Sequence, residues 1–214
     1  MCRLSPRHVL NFDVEMSIAV VKYNAGNIRS VMNALARIGV DACLTDDPET
    51  LRTAEKVIFP GQGEASTTMA HLRQTGLDKV ILSLRQPVLG ICVGMQLLCK
   101  HSAEGDVDCL GVFDVPVLRF PIPEPNPLNL KVPQMGWNEI YDVKSPLFTP
   151  EQEHAYVYCI HSYYAPVCDY TVATSRHSVE YSNALRKDNF FATQFHPEKS
   201  GSVGEQILRN FLAM

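Results

Sequence analysis

Four short apolar runs alternate with helical patterns in the first half of the chain, and few folds accept that alternation. The runs lie at 17–23, 41–44, 56–59 and 87–92. After the first run, apolar residues recur at helical spacing from Ile28 to Ile38 and stop at Gly39. Helical segments at 67–73 and 77–84 precede the fourth run. We therefore predict an α/β fold, a single domain with a mostly parallel, doubly wound sheet flanked by helices.

The second half of the chain adds an antiparallel strand region. Strands are predicted at 136–143, 155–160, 170–174, 183–186 and 190–195. The last two form a hairpin over Lys187-Asp188-Asn189. The proline-rich segment 121–127 has no helical or strand periodicity and is predicted to be an exposed connection. Ser202 is predicted to be the N-cap of a closing helix that runs through Leu212.

Composition and charge exclude several classes of protein. The 214 residues are 46% hydrophobic and 20% charged, which is typical of a globular chain with a real core. Nineteen Lys and Arg against 23 Asp and Glu give a net charge of -4, without the basic excess that nucleic-acid binding requires. The longest apolar stretch, 88–99, is shorter than the ~20 residues of a membrane helix.

The cysteines and the N-terminus indicate where the chain resides. Seven cysteines without a CxxC pair fit neither a disulfide framework nor a zinc site, so we expect no metal and a cytoplasmic location. Residues 1–15 lack the apolar core of a secretory signal. We expect them to be a poorly ordered extension, with Met16 as the natural start and one domain over 16–214.

The segment Gly90-Ile91-Cys92-Val93-Gly94 lies where the fourth strand passes into a helix. It matches G-x-S-x-G with sulfur in place of oxygen. Such an elbow holds its nucleophile in a strained turn, so the residues two before and two after must be small, and here both are glycine. Amides at the helix start would favour a thiolate. The alternative is a buried, inert cysteine at a strand end.

A thiolate needs a base, and His196 is the best candidate among seven histidines. It lies in Gln194-Phe195-His196-Pro197-Glu198, after a strand and before a helix. Because residues i and i+2 of an extended chain share one side, we expect Glu198 to reach the imidazole. The alternatives are a surface histidine beside a solvated Glu198, or His161 as the base.

The turn Pro60-Gly61-Gln62-Gly63 follows the third strand and could aim backbone amides at an oxyanion near Cys92. It lacks the G-K-[ST] of a phosphate loop, and the first turn lacks G-x-G-x-x-G. The residues alone therefore indicate a cysteine hydrolase or acyl transferase with the chain order Cys, His, Glu. They do not indicate its substrate.

Three segments together resemble the class I (triad) glutamine amidotransferases: GICVGMQLLC, the turn at 60–63, and TQFHPEKSG. Within that family, KYNAGNIRSV, VPQMGWNEI and YCIHSYYAP resemble the glutaminase subunits of imidazole glycerol phosphate synthase, from histidine biosynthesis. The resemblance covers essentially 16–214. It implies that Cys92 attacks the carboxamide of glutamine, that His196 carries the proton, and that Glu198 orients His196.

The resemblance also assigns the substrate-binding residues, and it implies no cofactor. Gln96 matches the glutamine-binding residue of the family. Ser162 and Tyr163 match the segment that holds the α-carboxylate and amino groups. The oxyanion region is matched by Gly61, Gly63 and the amide of Val93.

The family passes ammonia to a partner, a (β/α)8-barrel cyclase subunit in a heterodimer. That subunit converts a phosphoribulosyl formimino intermediate to imidazole glycerol phosphate and aminoimidazole carboxamide ribotide. Positions at or near the subunit interface are matched by Asn27, Met135, Trp137 and Lys199. For Trp137, the only tryptophan, core packing is the alternative.

The sequence departs from the family pattern at three places. Gln62 stands in the oxyanion turn where the family usually has a small apolar residue, and Gln134 stands where a histidine is frequent. The loop at 121–127 is longer and richer in proline. The resemblance implies that the turn flips when the cyclase is loaded, and the sequence does not indicate how Gln62 affects that flip.

Two other functions fit parts of the pattern. The chain could be the amidotransferase subunit of another synthase, acting in anthranilate, guanylate or pyridoxal phosphate synthesis, but the MGWN and HSYY segments argue against this. It could also be a regulatory subunit with a vestigial site. The presence of Cys92, His196 and Glu198 together argues against that function.

Overall fold

The computed structural model describes residues 17–23, 28–61 and 63–214. The first half contains β1 (Ile18–Val21), α1 (Ile28–Arg37), β2 (Ala42–Thr45), α2 (Pro48–Thr53), β3 (Lys56–Phe59), α3 (Ala65–Thr75), α4 (Leu77–Ser83), β4 (Val88–Ile91), α5 (Val93–Leu98) and β5 (Cys99–Ser102). The second half contains β6 (Val107–Asp108), β7 (Phe113–Arg119), β8 (Gln134–Glu139), β9 (Tyr156–His161), β10 (Tyr163–Tyr164), β11 (Thr171–Arg176), β12 (Glu180–Lys187), β13 (Phe190–Thr193) and α6 (Gly201–Leu212).

The central sheet has seven strands in the order β11-β12-β13-β4-β3-β1-β2. The five strands from β13 to β2 are parallel, while β11, β12 and β13 pair antiparallel. Strands β1, β3, β4 and β13 are buried at every residue, as expected of strands covered by helices on both faces. The predicted doubly wound sheet with an antiparallel region and its terminal hairpin is confirmed.

Two smaller sheets carry the rest of the strands. One has the order β10-β7-β5-β6, and the other is the antiparallel pair β8-β9. The sequence analysis did not predict β5, β6, β7 or β10, and it also missed α2. The segment 121–127 contains no helix or strand and is almost wholly exposed, so the prediction of an exposed connection is confirmed.

The predicted start of the closing helix is wrong by two residues. Ser200, not Ser202, is the N-cap of α6, and Ser202 is an exposed residue of the helix itself. The Ser200 hydroxyl does not cap the helix. It donates to the carbonyl of His196 at 2.7 Å and accepts from the amide of Tyr158 at 3.0 Å. Ser200 therefore ties β9 to the segment before α6.

Two predictions cannot be placed in this fold. The expected extension at 1–15 and the start at Met16 both lie outside the described residues. Among the described helices, none is long and apolar enough to cross a membrane.

Replacement of Ser200 by alanine should destabilise the protein much more than replacement of Ser202. Ser200→Ala leaves the amide of Tyr158 without its partner and removes one of the two donors to the carbonyl of His196, which costs about 1–3 kcal/mol of the free energy of unfolding. Ser202→Ala removes only an exposed side chain and is the matched control. Urea unfolding of both variants measures the difference, and equal stabilities would contradict this account of Ser200.

Candidate active site

Three neighbouring strands of the sheet end at the same edge, and the predicted site residues follow them. Strands β3, β4 and β13 are adjacent and parallel, so their carboxyl ends meet. The turn at 60–63 follows β3, Cys92 follows β4, and His196 lies three residues after β13. The amide of Cys92 donates to the carbonyl of Thr193 at 2.7 Å, and this hydrogen bond fixes the segment at Cys92 to the end of β13. Ligands bind at this edge in open α/β sheets.

Cys92 occupies the strained turn that its sequence motif predicts. Its φ of 54° and ψ of -110° are rarely adopted by a residue with a side chain. A Cβ atom on Gly94 would lie 2.1 Å from the carbonyl oxygen of Phe59, and one on Gly90 would lie 2.7 Å from the side chain of Leu98. Both glycines are needed because there is no room for a side chain.

The turn after β3 packs directly on the elbow. A Cβ atom on Gly61 would lie only 2.2 Å from the amide nitrogen of Gly94, so the two backbones touch. The Tyr23 hydroxyl donates to the carbonyl of Pro60 and anchors the start of the turn. The sequence analysis missed this role of Tyr23. Gln62, the predicted oxyanion-turn residue, lies outside the described residues.

His196 and Glu198 form a buried pair. Nδ1 of His196 lies 2.7 Å from Oε1 of Glu198, and the two side chains are 1% and 0% exposed. The contact was predicted, but its geometry differs from the prediction. Pro197–Lys199 is a single 3-10 turn rather than extended chain, and this turn folds Glu198 back onto the imidazole. The alternative of a solvated surface pair is excluded.

The electrostatic surroundings favour the protonated imidazole. Burial alone would lower the pKa of His196, but the negative charge of Cys92 and the carboxylate of Glu198 raise it to about 10. His196 thus has the two partners that a base beside a thiol requires.

His161, the alternative base, is also close to Cys92 but has a different environment. Its Nδ1 donates to the carbonyl of Tyr163 at 2.7 Å, and none of the carboxylates that the structure describes is its partner. Burial lowers the pKa of His161 to about 4. His161 is therefore a neutral side chain in the wall of the site.

A cavity of about 350 Å³ lies between these segments. It is lined by Cys92 and His196 together with five predicted site residues, Gly63, Val93, Gln96, Ser162 and Tyr163. Gly61 does not line the cavity, because it is buried against the elbow.

Gln96 is held in place by its own amide nitrogen. The nitrogen donates to the carbonyl of Tyr163 at 3.1 Å and to Oε1 of Gln194 at 3.0 Å. The amide nitrogen of Gln194 in turn lies 3.8 Å from Sγ of Cys92. Sequence analysis missed Gln194, although it stands two residues before His196 and so shares its side of an extended strand. The carbonyl oxygen of Gln96 remains for a ligand.

Glu104 is a second residue that the sequence analysis missed. It lies between β5 and β6, lines the cavity, and accepts from the amide of Ala65 at 3.0 Å. Burial raises the pKa of Glu104, the Ala65 hydrogen bond opposes that rise, and the charge of Glu64 adds to it. Its position brings a carboxylate to the wall of the cavity that Cys92 also lines. No spacing in the sequence signals this placement, because it depends on an unpredicted hairpin.

The predicted interface residues form an exposed cluster beside the site. Met135 is 64% and Trp137 58% exposed, so core packing of the tryptophan is excluded. Trp137 contacts the ring of Tyr158 edge-on at 6.1 Å, and Nζ of Lys199 lies 5.9 Å from the centre of the same ring. The carbonyl of Tyr158 accepts from the amide of His196 at 2.9 Å. Asn27 lies outside the described residues.

Metal-binding clusters are absent from the part of the chain that the structure describes. Across 17–23, 28–61 and 63–214, no group of three or more His, Cys, Asp or Glu side chains is arranged to hold a metal ion.

Comparison with known proteins gives the same family over almost the whole chain. The profile of the family "Glutamine amidotransferase class-I" matches residues 19–214. The HisH subunit of imidazole glycerol phosphate synthase from Bacteroides thetaiotaomicron is 60% identical over 197 residues, which are 92% of this chain and 99% of that protein. The HisH subunit from Bacteroides fragilis strain YCH46 is 57% identical over 199 residues, or 93% of this chain and 100% of that protein.

Solved structures share the fold at lower identity. PurLQS from Thermotoga maritima superposes with a TM-score of 0.68 and 17% identity, covering 93% of this chain and 98% of that chain. This likeness concerns the arrangement of the strands and helices alone.

The pKa of His196 should fall when either of its charged partners is removed. Its imidazole stays protonated up to about pH 10 because Cys92 and Glu198 stabilise the cation. In Cys92→Ser and in Glu198→Gln the ring should therefore lose its proton at a lower pH. NMR titration of the histidine ring nitrogens measures this, with Asp188→Asn as the control, because Asp188 is an exposed carboxylate in the turn before β13, at the other end of that strand from His196. An unchanged titration in both variants would contradict the assigned electrostatics.

Proposed function

The chain belongs to the class I glutamine amidotransferases and, within them, to the HisH subunits of imidazole glycerol phosphate synthase, and from this premise we propose how its residues perform the reaction. Its function is that of the glutaminase subunit in histidine biosynthesis. The observation that carries the mechanism is the strained Cys92 beside a buried His196–Glu198 pair, at one edge of a parallel sheet.

Cys92 is the nucleophile. Its sulfur attacks the carboxamide carbon of glutamine and forms a tetrahedral intermediate, while His196 holds the thiol proton. His196 then gives that proton to the leaving nitrogen, ammonia departs, and a γ-glutamyl thioester remains on Cys92. His196 next takes a proton from a water that attacks the thioester, and glutamate leaves as the sulfur is restored. Glu198 acts by holding the imidazole in orientation and stabilising its charge.

The oxyanion of each tetrahedral intermediate needs backbone donors. Val93, the first residue of α5, supports this role because its amide stands next to the nucleophile at the wall of the cavity. Gly63 lines the same wall, and Gly61 fixes the turn against the elbow. Gln62 lies between these two glycines in the sequence, and the resemblance implies that this turn flips to present an amide once the cyclase is loaded.

The α-amino and α-carboxylate groups of glutamine need opposite partners. Glu104 supplies a partly buried carboxylate for the ammonium group. Burial opposes the negative charge of this carboxylate, and the positive charge of the bound ammonium group favours it. Ser162 and Tyr163 supply the polar segment for the carboxylate, and the carbonyl oxygen of Gln96 is free to accept from the substrate. These groups surround Cys92 and so place the carboxamide at its sulfur.

The ammonia passes to a partner, the (β/α)8-barrel cyclase subunit of the synthase, in a heterodimer. Exposed Met135 and Trp137 form the docking face, with Lys199 beside them. Aromatic and methionine side chains are enriched at such contacts. Because Tyr158 links this face to the backbone of His196, docking and catalysis share one structural element. A reducing cytoplasm suits a reaction that depends on a free thiol.

Cys92→Ala should abolish glutamine-dependent turnover and leave ammonia-dependent turnover of the complex intact. The wild-type chain should release glutamate from glutamine much faster when the cyclase subunit and its nucleotide substrate are present. The measurements are glutamate release and product formation with glutamine or ammonium salt. If Cys92→Ala also lost the ammonia-dependent reaction, the proposed division of labour would be wrong. If the rate of glutamate release did not change when the cyclase was added, the assigned role of Cys92 would be retained but the assignment of the partner would be wrong.

Glu104→Gln should weaken glutamine binding more than it slows chemistry. Loss of a charged hydrogen bond to the ammonium group costs about 1.5–3 kcal/mol, so KM for glutamine should rise about tenfold or more while kcat changes less. Asp106→Asn is the control, since it changes a carboxylate of the same hairpin that does not line the cavity. Steady-state kinetics measure KM and kcat for each variant. A loss confined to kcat would rule out this assignment of Glu104.

A further inference from the structure

A second concave surface lies next to Trp137, and we name it the basic groove. It encloses about 390 Å³ between the loop before β8 and the turn that joins β11 to β12. Its walls include Lys131, Arg176, His177, Met135 and Trp137. Among the described residues that line it, none is Asp or Glu.

The positive charge comes from two exposed side chains, Lys131 and Arg176. Two carboxylates stand near the groove but do not line it. Glu180 stands opposite Arg176 in the β11–β12 ladder, and its Oε1 accepts from the hydroxyl of Tyr141 at 3.1 Å. Glu139 binds Nδ1 of His154 at 2.7 Å. Both keep their negative charge, so the positive charge is confined to the lining of the groove, where Lys131 and Arg176 stand.

The loop that carries Lys131 is held in a definite shape. The Asn126 side chain makes two hydrogen bonds to the backbone of Leu130, as acceptor from the amide at 2.9 Å and as donor to the carbonyl at 3.0 Å. His177 donates from Nε2 to the carbonyl of Lys131 at 2.9 Å, and its ring packs edge-on against Phe120. His177 thus fixes the loop to the β11–β12 turn. Because the loop is already held, a ligand that enters the groove causes little further loss of backbone conformational entropy.

The groove is continuous with the proposed docking face. Met135 and Trp137 line the groove and are also the exposed side chains of that face. Leu128, which precedes the lining residue Asn129, is 76% exposed. An apolar centre flanked by charged groups is the usual composition of a protein–protein interface.

We propose that the basic groove docks an acidic segment of the cyclase subunit, which extends the interface from Trp137 to Lys131 and Arg176. This inference rests on the proposed function, because it takes the cyclase as the partner. Charges at the rim of an interface act mainly on the rate of association and on its dependence on salt. The two basic side chains should therefore steer the cyclase onto the apolar face.

The test compares a double charge reversal with a matched control. Lys131→Glu/Arg176→Glu reverses the charge of the groove. Lys79→Glu/Arg85→Glu makes the same change on exposed residues of α4 and of the loop between α4 and β4, which do not line the groove. Stopped-flow association with the cyclase subunit of the same organism measures the rate constant at low and high NaCl. Thermal unfolding of the free chain checks that each variant is folded.

The expected results separate this inference from the function on which it rests. The groove variant should associate about tenfold more slowly at low salt and lose most of the salt dependence, while the control keeps the wild-type rate and slope. Equal rates for both variants, with Trp137→Ala still impaired, would overturn the basic groove and leave the partner assignment standing. Failure of the wild-type chain to bind the cyclase at all would overturn the proposed partner itself.

Discussion

The contact between the turn after β3 and the start of α5 is the constraint on which the site depends. Two stretches of backbone lie against each other there, with Gly61 against Gly94 and Gly94 against Phe59, and no side chain fits between them. The parallel pairing of β3 with β4 holds both stretches in place. That contact stabilises the unfavourable φ of Cys92, and it sets the oxyanion turn beside the nucleophile.

Burial then decides which histidine can work with this nucleophile. His161 and His196 both reach the cavity, and burial acts against the charged form of each. Only His196 has a carboxylate, and that carboxylate reaches it because Pro197 begins a 3-10 turn that brings Glu198 back. The difference between an inert imidazole and a basic one is therefore a difference of partners rather than of exposure.

Local patterns in the sequence predicted the elements that depend on local causes. Strand β3 was predicted at its observed bounds. The glycines around Cys92 and the His196–Glu198 contact were also predicted, because sterics or short spacing determine them.

Helix α2 was missed although Asp47 and Pro48 form a start signal, since its six residues show little periodicity. Glu104 could not be assigned a role because its β5–β6 hairpin was not predicted, and Gln194 could not because its contact with Cys92 joins residues 102 positions apart. Ser202 was predicted to be the N-cap from the capping preference of serine, whereas Ser200 is the N-cap and its hydroxyl binds two backbone groups outside the helix. The separate roles of the site residues and the single domain over 16–214 stay predictions.

The position of β13 in the sheet has a consequence for the newly made chain. This strand comes near the C-terminus, yet it lies in the middle of the sheet, between β12 and β4. The reactive sulfur and Gln194 are 102 residues apart along the chain. Ribosomal synthesis therefore delivers the nucleophile long before the strand that brings its base, and long-range pairing of this kind is slow. Until β13 inserts into the sheet, the Cys92 thiol of the growing polypeptide has no base beside it and does not hydrolyse the glutamine of the cell.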